Sequence, residues 1–100
     1  MKSKLTKDDI LNSLRADKKV MQERFGVVEI GLFGSYATGN PNEQSDIDIL
    51  IKLKEPRFEY LAGLQIFLER KFSKNIEITR KSDKINNQFI KKIEHQTIYV

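Results

Sequence analysis

The chain contains no cysteine, so it can form neither a disulfide nor a thiolate metal site. No apolar run approaches the ~18 residues that a membrane-spanning helix requires. The first residues, Met1 to Asp9, are polar and lack the apolar stretch of a secretory signal. Together these absences make the cytoplasm the expected location. The one histidine, His95, has no second ligand type close by in sequence, which favours a solvated or hydrogen-bonded structural role over metal binding. Basic residues cluster only in pairs: Lys18-Lys19, Arg70-Lys71, Arg80-Lys81 and Lys91-Lys92. None forms the like-charge block of a nucleic-acid-binding tail, so they read as solvated helix faces. No recognition motif points to nucleic acid as a direct target. Internal repeats, linkers and low-complexity segments are also missing.

What remains is 100 residues, 39% hydrophobic and 32% charged, a balance that fits a folded domain rather than a disordered one. That length supports one core and leaves no room for a second, so the chain is expected to be a single domain over 1–100. The net charge of +4 favours anionic partners such as nucleotides, nucleic acid or an acidic protein surface.

Thr6 and Asp9 form a capping-box pattern, and Leu11, Leu14, Met21 and Phe25 then fall mostly on one helical face before Gly26. This predicts a helix over about 7–24. Val27 to Phe33 is short, apolar and β-branched, hence a strand. It runs into Gly34-Ser35-Tyr36-Ala37-Thr38-Gly39, followed by the turn-forming stretch Asn40 to Ser45. A second strand is expected from Asp46 to Leu53, ended by Glu55-Pro56. Phe58, Leu61, Leu64, Leu68 and Phe72 predict a helix over about 57–72, and Ile76 and Ile78 a short third strand. Ser82 can cap a last helix with Ile85, Phe89 and Ile93 as its buried stripe. Ile98-Tyr99-Val100 forms either a terminal strand or a packed tail. The spacer between the first two strands can hold one helical turn but no crossover helix. A mixed α+β (mixed α/β) domain follows, with three to four strands and helices packed on the sheet.

Alternation along a strand puts Asp46 and Asp48 on one side, about 7 Å apart, while Ile47, Ile49 and Ile51 take the other. Two carboxylates that close repel unless one protonates or a cation neutralises them, and a hard divalent cation with oxygen ligands is the simplest partner. The plainer reading is a solvated strand end that discourages edge pairing. Eleven positions before Asp46 lies Ser35, preceded by Gly34 directly after a strand. Glycine admits close approach to the backbone, and a chain turning helical at Ser35 leaves amides and a hydroxyl free for phosphate oxygens. Alone, Gly-Ser after a strand is an ordinary turn. With Asp46-x-Asp48 on the next strand it reads as a phosphate grip beside a metal holder.

Gly34 to Gly39, the spacer, and Ser45-Asp46-Ile47-Asp48-Ile49-Leu50-Ile51 resemble the signature of the DNA polymerase β-type nucleotidyltransferases. The short length resembles the minimal nucleotidyltransferase (MNT) branch, which includes antitoxins of HEPN/MNT toxin–antitoxin pairs. The resemblance extends through nearly the whole chain. It implies two Mg²⁺ ions held by Asp46 and Asp48 together with the phosphates of ATP, and Gly34 and Ser35 as nucleotide-binding residues. Glu77, in Ile76-Glu77-Ile78-Thr79, stands where the family uses a third carboxylate, commonly Asp. It would complete the metal site or accept the hydroxyl proton; otherwise it is a surface glutamate on a half-buried strand. Many relatives carry Arg at the positions of Tyr36 or Thr38, and neither is basic here.

The resemblance further implies transfer of AMP from ATP to a tyrosine hydroxyl of a HEPN-type toxin or another helical partner protein. Two other readings stay open: a non-catalytic module that neutralises a partner by contact, and a catalytic subunit that modifies a small molecule bound by a separate chain. A homo-oligomer is compatible with either. Tyr36 could stack on a base or pack over its own turn, and Phe58, Phe67, Phe72 and Phe89 are expected in the core or at a partner interface.

Overall fold

In a computed structural model, which describes residues 5–82 and 88–100, five helices and four strands are seen among the described residues. Their order is α1 (Lys7–Ala16), α2 (Lys18–Phe25), β1 (Val27–Phe33), α3 (Gly34–Thr38), β2 (Ile47–Leu53), α4 (Phe58–Phe72), β3 (Ile76–Arg80), α5 (Gln88–Gln96) and β4 (Ile98–Tyr99). The sheet runs β3-β2-β1-β4. β1 is antiparallel to both β2 and β4, whereas β2 and β3 are parallel, so the sheet is mixed as expected. The terminal segment is a strand, closing on Gly31 and Leu32. None of the described helices is long and apolar enough to cross a membrane.

The capping box forms as the sequence predicts: the Asp9 amide donates to Thr6 Oγ1 at 3.1 Å and the Thr6 amide to Asp9 Oδ2 at 3.0 Å. The single helix expected over 7–24 is instead two, interrupted at Asp17 (φ −101°, ψ 8°). Asp17 leaves helical geometry while its carboxylate pairs with Lys71 of α4. Aspartate is a weak helix former, so an ion pair to a neighbouring helix outweighs helical continuity there. Gly26, at φ 65°, ends α2 in the left-handed conformation that glycine adopts without strain.

One face of β2 carries Ile47, Ile49, Ile51 and Leu53. They join Ile10, Leu14 and Met21 from α1 and α2, and Leu64, Leu68 and Phe72 from α4, in one apolar cluster. Most of these side chains are fully buried, and this interior is the main driving force for folding. Leu50 points the other way and is also buried, on the face where α5 lies over β1 and supplies the buried Ile93. Gly31, opposite Leu50, admits this layer: a Cβ there would overlap the Thr97 methyl and come within 2.9 Å of the Ile98 carbonyl.

Two members of the expected stripes lie outside the core. Phe58 is 80% exposed and Phe89 60% exposed, so the buried face of α4 begins later and that of α5 rests on Ile93. Phe67 is half-buried and packs against Phe25 with ring centroids 5.7 Å apart. The expected start of the last helix, Ile85 included, lies outside the described residues.

Lys81, just past β3, ties this second layer down. Its ammonium reaches Glu29 Oε1 of β1 at 3.1 Å, Glu94 Oε1 of α5 at 3.2 Å and Tyr99 Oη of β4 at 3.0 Å. Burial opposes its charge, but these three partners hold the ammonium protonated more firmly than usual. Lys81→Met is expected to cost about 1–3 kcal/mol. Hydrogen exchange should quicken in α5 and β4 while α4 keeps its protection; uniform loss of protection across both layers would contradict this division.

Candidate active site

Three consecutive features of the chain build the site. β1 ends at Phe33, the chain turns through Gly34 at φ 77° into the single helical turn α3, and Gly39 at φ 84° ends that turn. Inside it the Asn40 amide donates to the Ser35 carbonyl at 3.0 Å and Thr38 Oγ1 to the same carbonyl at 3.1 Å. No side chain caps the start of α3, so its first amides are left for another acceptor.

The antiparallel register sets Phe33 opposite Asp48, which carries the Asp48 side chain onto the Gly34 backbone. A Cβ at Gly34 would overlap Asp48 Oδ2 and lie 2.8 Å from Asp48 Cγ. Glycine is therefore required twice, for the positive φ and for this approach. On its other side Asp48 neighbours Glu77 in the parallel β2–β3 register. Burial, the charge of Glu77, a hydrogen bond with Glu77 and the charge of Asp46 together raise the Asp48 pKa to about 6. A hydrogen bond between two carboxyl groups needs a shared proton, so a proton here relieves the repulsion between them.

Asp46 precedes the hydrogen-bonded strand, which starts at Ile47 rather than Asp46. The Ile47 amide donates to the Asn75 carbonyl at 3.1 Å. Asp46 is exposed, as is Glu77, while Asp48 is half-buried. The structure thus brings Gly34, Asp48 and Glu77 together with Asp46 in charge range. Among the described residues the three carboxylates are not gathered into one ligand cluster. Asp46 also lines an open cleft of about 670 Å³, with Glu43, Gln44, Ser45, Glu69, Ser73, Lys74 and Asn75. Of the three carboxylates, only Asp46 lines this cleft.

Tyr36 is buried in the core and packs beneath its turn; it is not placed to stack on a base. His95 is exposed on α5. Lys74 is a neighbour of the loop that sequence reasoning missed. Its ammonium stands 5.8 Å from the Tyr36 ring centroid and donates to the Glu43 carbonyl at 3.3 Å. The available signal was indirect: parallel pairing of β2 and β3 puts the residues before Ile76 beside those before Ile47.

Comparison with known proteins agrees with this geometry. The family model described as nucleotidyltransferase domain matches residues 14–100. The protein adenylyltransferase MntA of Thermococcus cleftensis is 37% identical over 97 residues, covering 96% of this chain and 97% of that protein. A Methanocaldococcus jannaschii protein provisionally described as a protein adenylyltransferase is 40% identical over 100 residues, covering 95% and 98%. A solved structure provisionally described as a minimal nucleotidyltransferase superposes with a TM-score of 0.72 at 26% identity, covering 97% of this chain and 98% of that one. A chain of the toxin–antitoxin MntA–HpeT crystal structure has the same fold, with a TM-score of 0.65 at 18% identity, covering 95% and 72%. With the Asp48 carboxylate of β2 set against a glycine turn and relatives matched over almost their full length, this chain belongs to the nucleotidyltransferase domain family and is an enzyme of that class.

Proposed function

We propose that this protein transfers AMP from ATP to a hydroxyl on a partner protein, and that it serves as the antitoxin of a HEPN-type toxin. The observation that carries the chemistry is the seating of the Asp48 carboxylate against Gly34, with Glu77 alongside. This couples a phosphate-binding turn to a concentration of negative charge. The choice of acceptor is supported by the names of the relatives, protein adenylyltransferase and toxin–antitoxin. We also read the chain as one domain, since the described strands form one sheet and share an apolar core with the helices.

The donor set fits a hard divalent cation. All three side chains offer carboxylate oxygens, and the Asp48–Glu77 contact is one that a positive charge would relieve. Asp46, Asp48 and Glu77 would hold Mg²⁺, whose chemistry is to lower the pKa of an attacking hydroxyl and to stabilise charge on departing pyrophosphate. Gly34 and Ser35 offer amides and a hydroxyl to the β- and γ-phosphates and keep the α-phosphorus in line. The acceptor oxygen bonds to the α-phosphorus, the bond from that phosphorus to the β-bridging oxygen breaks, and the hydroxyl proton passes to Glu77. The extra methylene of Glu relative to Asp lengthens the reach of that base, so Glu77→Asp tests how closely its length is matched.

Incubation with Mg²⁺, ATP and the product of the adjacent gene should add one AMP to that partner, read by mass spectrometry. Asp48→Ala should slow labelling by at least about 100-fold. If wild type and variant neutralise the partner equally and neither labels it, the contact-only module is the correct reading.

Gly34→Ala forces a Cβ into the Asp48 carboxylate and strains a positive φ. It should lower stability by roughly 1–3 kcal/mol and labelling by about 100-fold. Retained labelling with retained melting temperature would remove Gly34 from the site.

The raised pKa of Asp48 means the folded state binds this proton more tightly than the unfolded chain does. Its contribution to stability is therefore full below the ordinary value of 3.8 and lost as pH rises through about 6. Asp48→Asn should accordingly melt higher than wild type at about pH 8, with the difference vanishing below about pH 4. Adding Mg²⁺ at about pH 8 should raise the wild-type melting temperature and leave the variant unmoved; equal shifts would place the cation elsewhere.

A further inference from the structure

The segment Gly34–Gly39 carries no cationic side chain, although a nucleoside triphosphate brings several negative charges to a site that already holds Asp46, Asp48 and Glu77. Amides and a hydroxyl alone leave the polyphosphate end without a protein cation. A described residue that stands against this segment with a charge to offer is Lys74.

The fold places Lys74 there by two constraints. Ser73 ends α4 in the left-handed conformation at φ 53°, its amide donating to the Glu69 carbonyl at 2.8 Å, which reverses the chain. The Ile47 amide then bonds to the Asn75 carbonyl at 3.1 Å, pinning the turn beside Asp46. From that position the ammonium bridges both arms of the site. It lies 5.8 Å from the ring centroid of Tyr36, the residue after Ser35, and donates at 3.3 Å to the carbonyl of Glu43 in the spacer. Neither partner neutralises it. A ring face contributes on the order of 0.5–1 kcal/mol at an exposed site, and a carbonyl carries no net charge. No carboxylate among the described residues is within ion-pair distance of Lys74. It is half-buried and lines the open cleft that also holds Asp46, so its charge faces space an anion can enter.

We infer that Lys74 is the side-chain cation that receives the polyphosphate of the nucleotide, taking the part that a basic residue within the loop would otherwise play. This inference rests on the nucleotidyltransferase reading of the site. Tyr36 is the platform that orients the lysine, which explains a buried aromatic beneath a phosphate turn. Charge placed here acts on the β- and γ-phosphates rather than on the adenosine, so it discriminates a triphosphate from a monophosphate and acts on binding more than on turnover.

The test compares wild type, Lys74→Met and Lys74→Arg in Mg²⁺, using calorimetric titration with a non-hydrolysable ATP analogue and with AMP, and labelling kinetics with ATP. Lys74→Met keeps an apolar stem over Tyr36 and removes the charge together with the hydrogen bond to the Glu43 carbonyl. It should weaken the analogue about tenfold, leave AMP unchanged, and raise KM for ATP with little change in kcat. Lys74→Arg should recover affinity to within about threefold of wild type. Unchanged analogue affinity in Lys74→Met overturns the inference, as does equal weakening towards AMP, and Lys74 is then a cover for Tyr36. A wild type that binds the analogue but labels no partner sinks the proposed acceptor and leaves this inference standing. A wild type that binds no analogue removes both.

Discussion

The contact between the Gly34 backbone and the Asp48 carboxylate is the constraint around which the site is arranged. It is short because glycine allows it and because the antiparallel ladder sets Phe33 opposite Asp48. The carboxylate is held half-buried beside other negative groups, an arrangement that favours its protonated form and runs against stability near neutrality. What holds Asp48 in place is the other face of the same strand. Ile47, Ile49 and Ile51 are fully buried, and any slip of register by one residue would turn them all to the opposite face of the sheet. The core thus fixes the position of a group whose own energetics would move it.

The two kinds of strand pairing do different jobs. The antiparallel β1–β2 pair joins turn to carboxylate within a short stretch of chain. The parallel β2–β3 pair needs α4 as its connection, and through it Glu77 arrives beside Asp48 while Lys74 and Asn75 arrive beside Asp46. Leu64, Leu68 and Phe72 of α4 therefore matter to the site although they lie on the opposite face of the sheet from its carboxylates. They share the apolar cluster with Ile76, the first residue of β3. The half-buried Asp17–Lys71 pair works in the same direction, linking α4 to the bend between α1 and α2.

The fold class, the first three strands and the pairing of turn with carboxylates were legible in the sequence because each rests on local pattern: alternation and a glycine after a strand; β4 was left open between a strand and a packed tail. The break at Asp17 was not, since Met21 and Phe25 keep the apolar phase across it and periodicity cannot register one residue leaving the helix. The exposure of Phe58 and Phe89 was not legible, because a helical repeat marks a face without saying where the covering layer stops. Lys74 was invisible for a different reason. Its contact with Glu43 spans 31 residues and depends on a strand register that composition does not encode.

The choice between a protein acceptor and a small one turns on where the site is open. Asp48 is half-buried between the Gly34 backbone and the neighbouring strand β3. Glu77, the proposed proton acceptor, is exposed on β3, which is an edge strand of the sheet. A small acceptor depends on the enzyme for contacts that fix its hydroxyl, because proximity supplies much of the rate. A hydroxyl carried by another folded protein is fixed by docking of the two surfaces, and an open edge then serves as an entrance. The asymmetry between a half-buried Asp48 and an exposed Glu77 suits the proposed acceptor, one that brings its own framework.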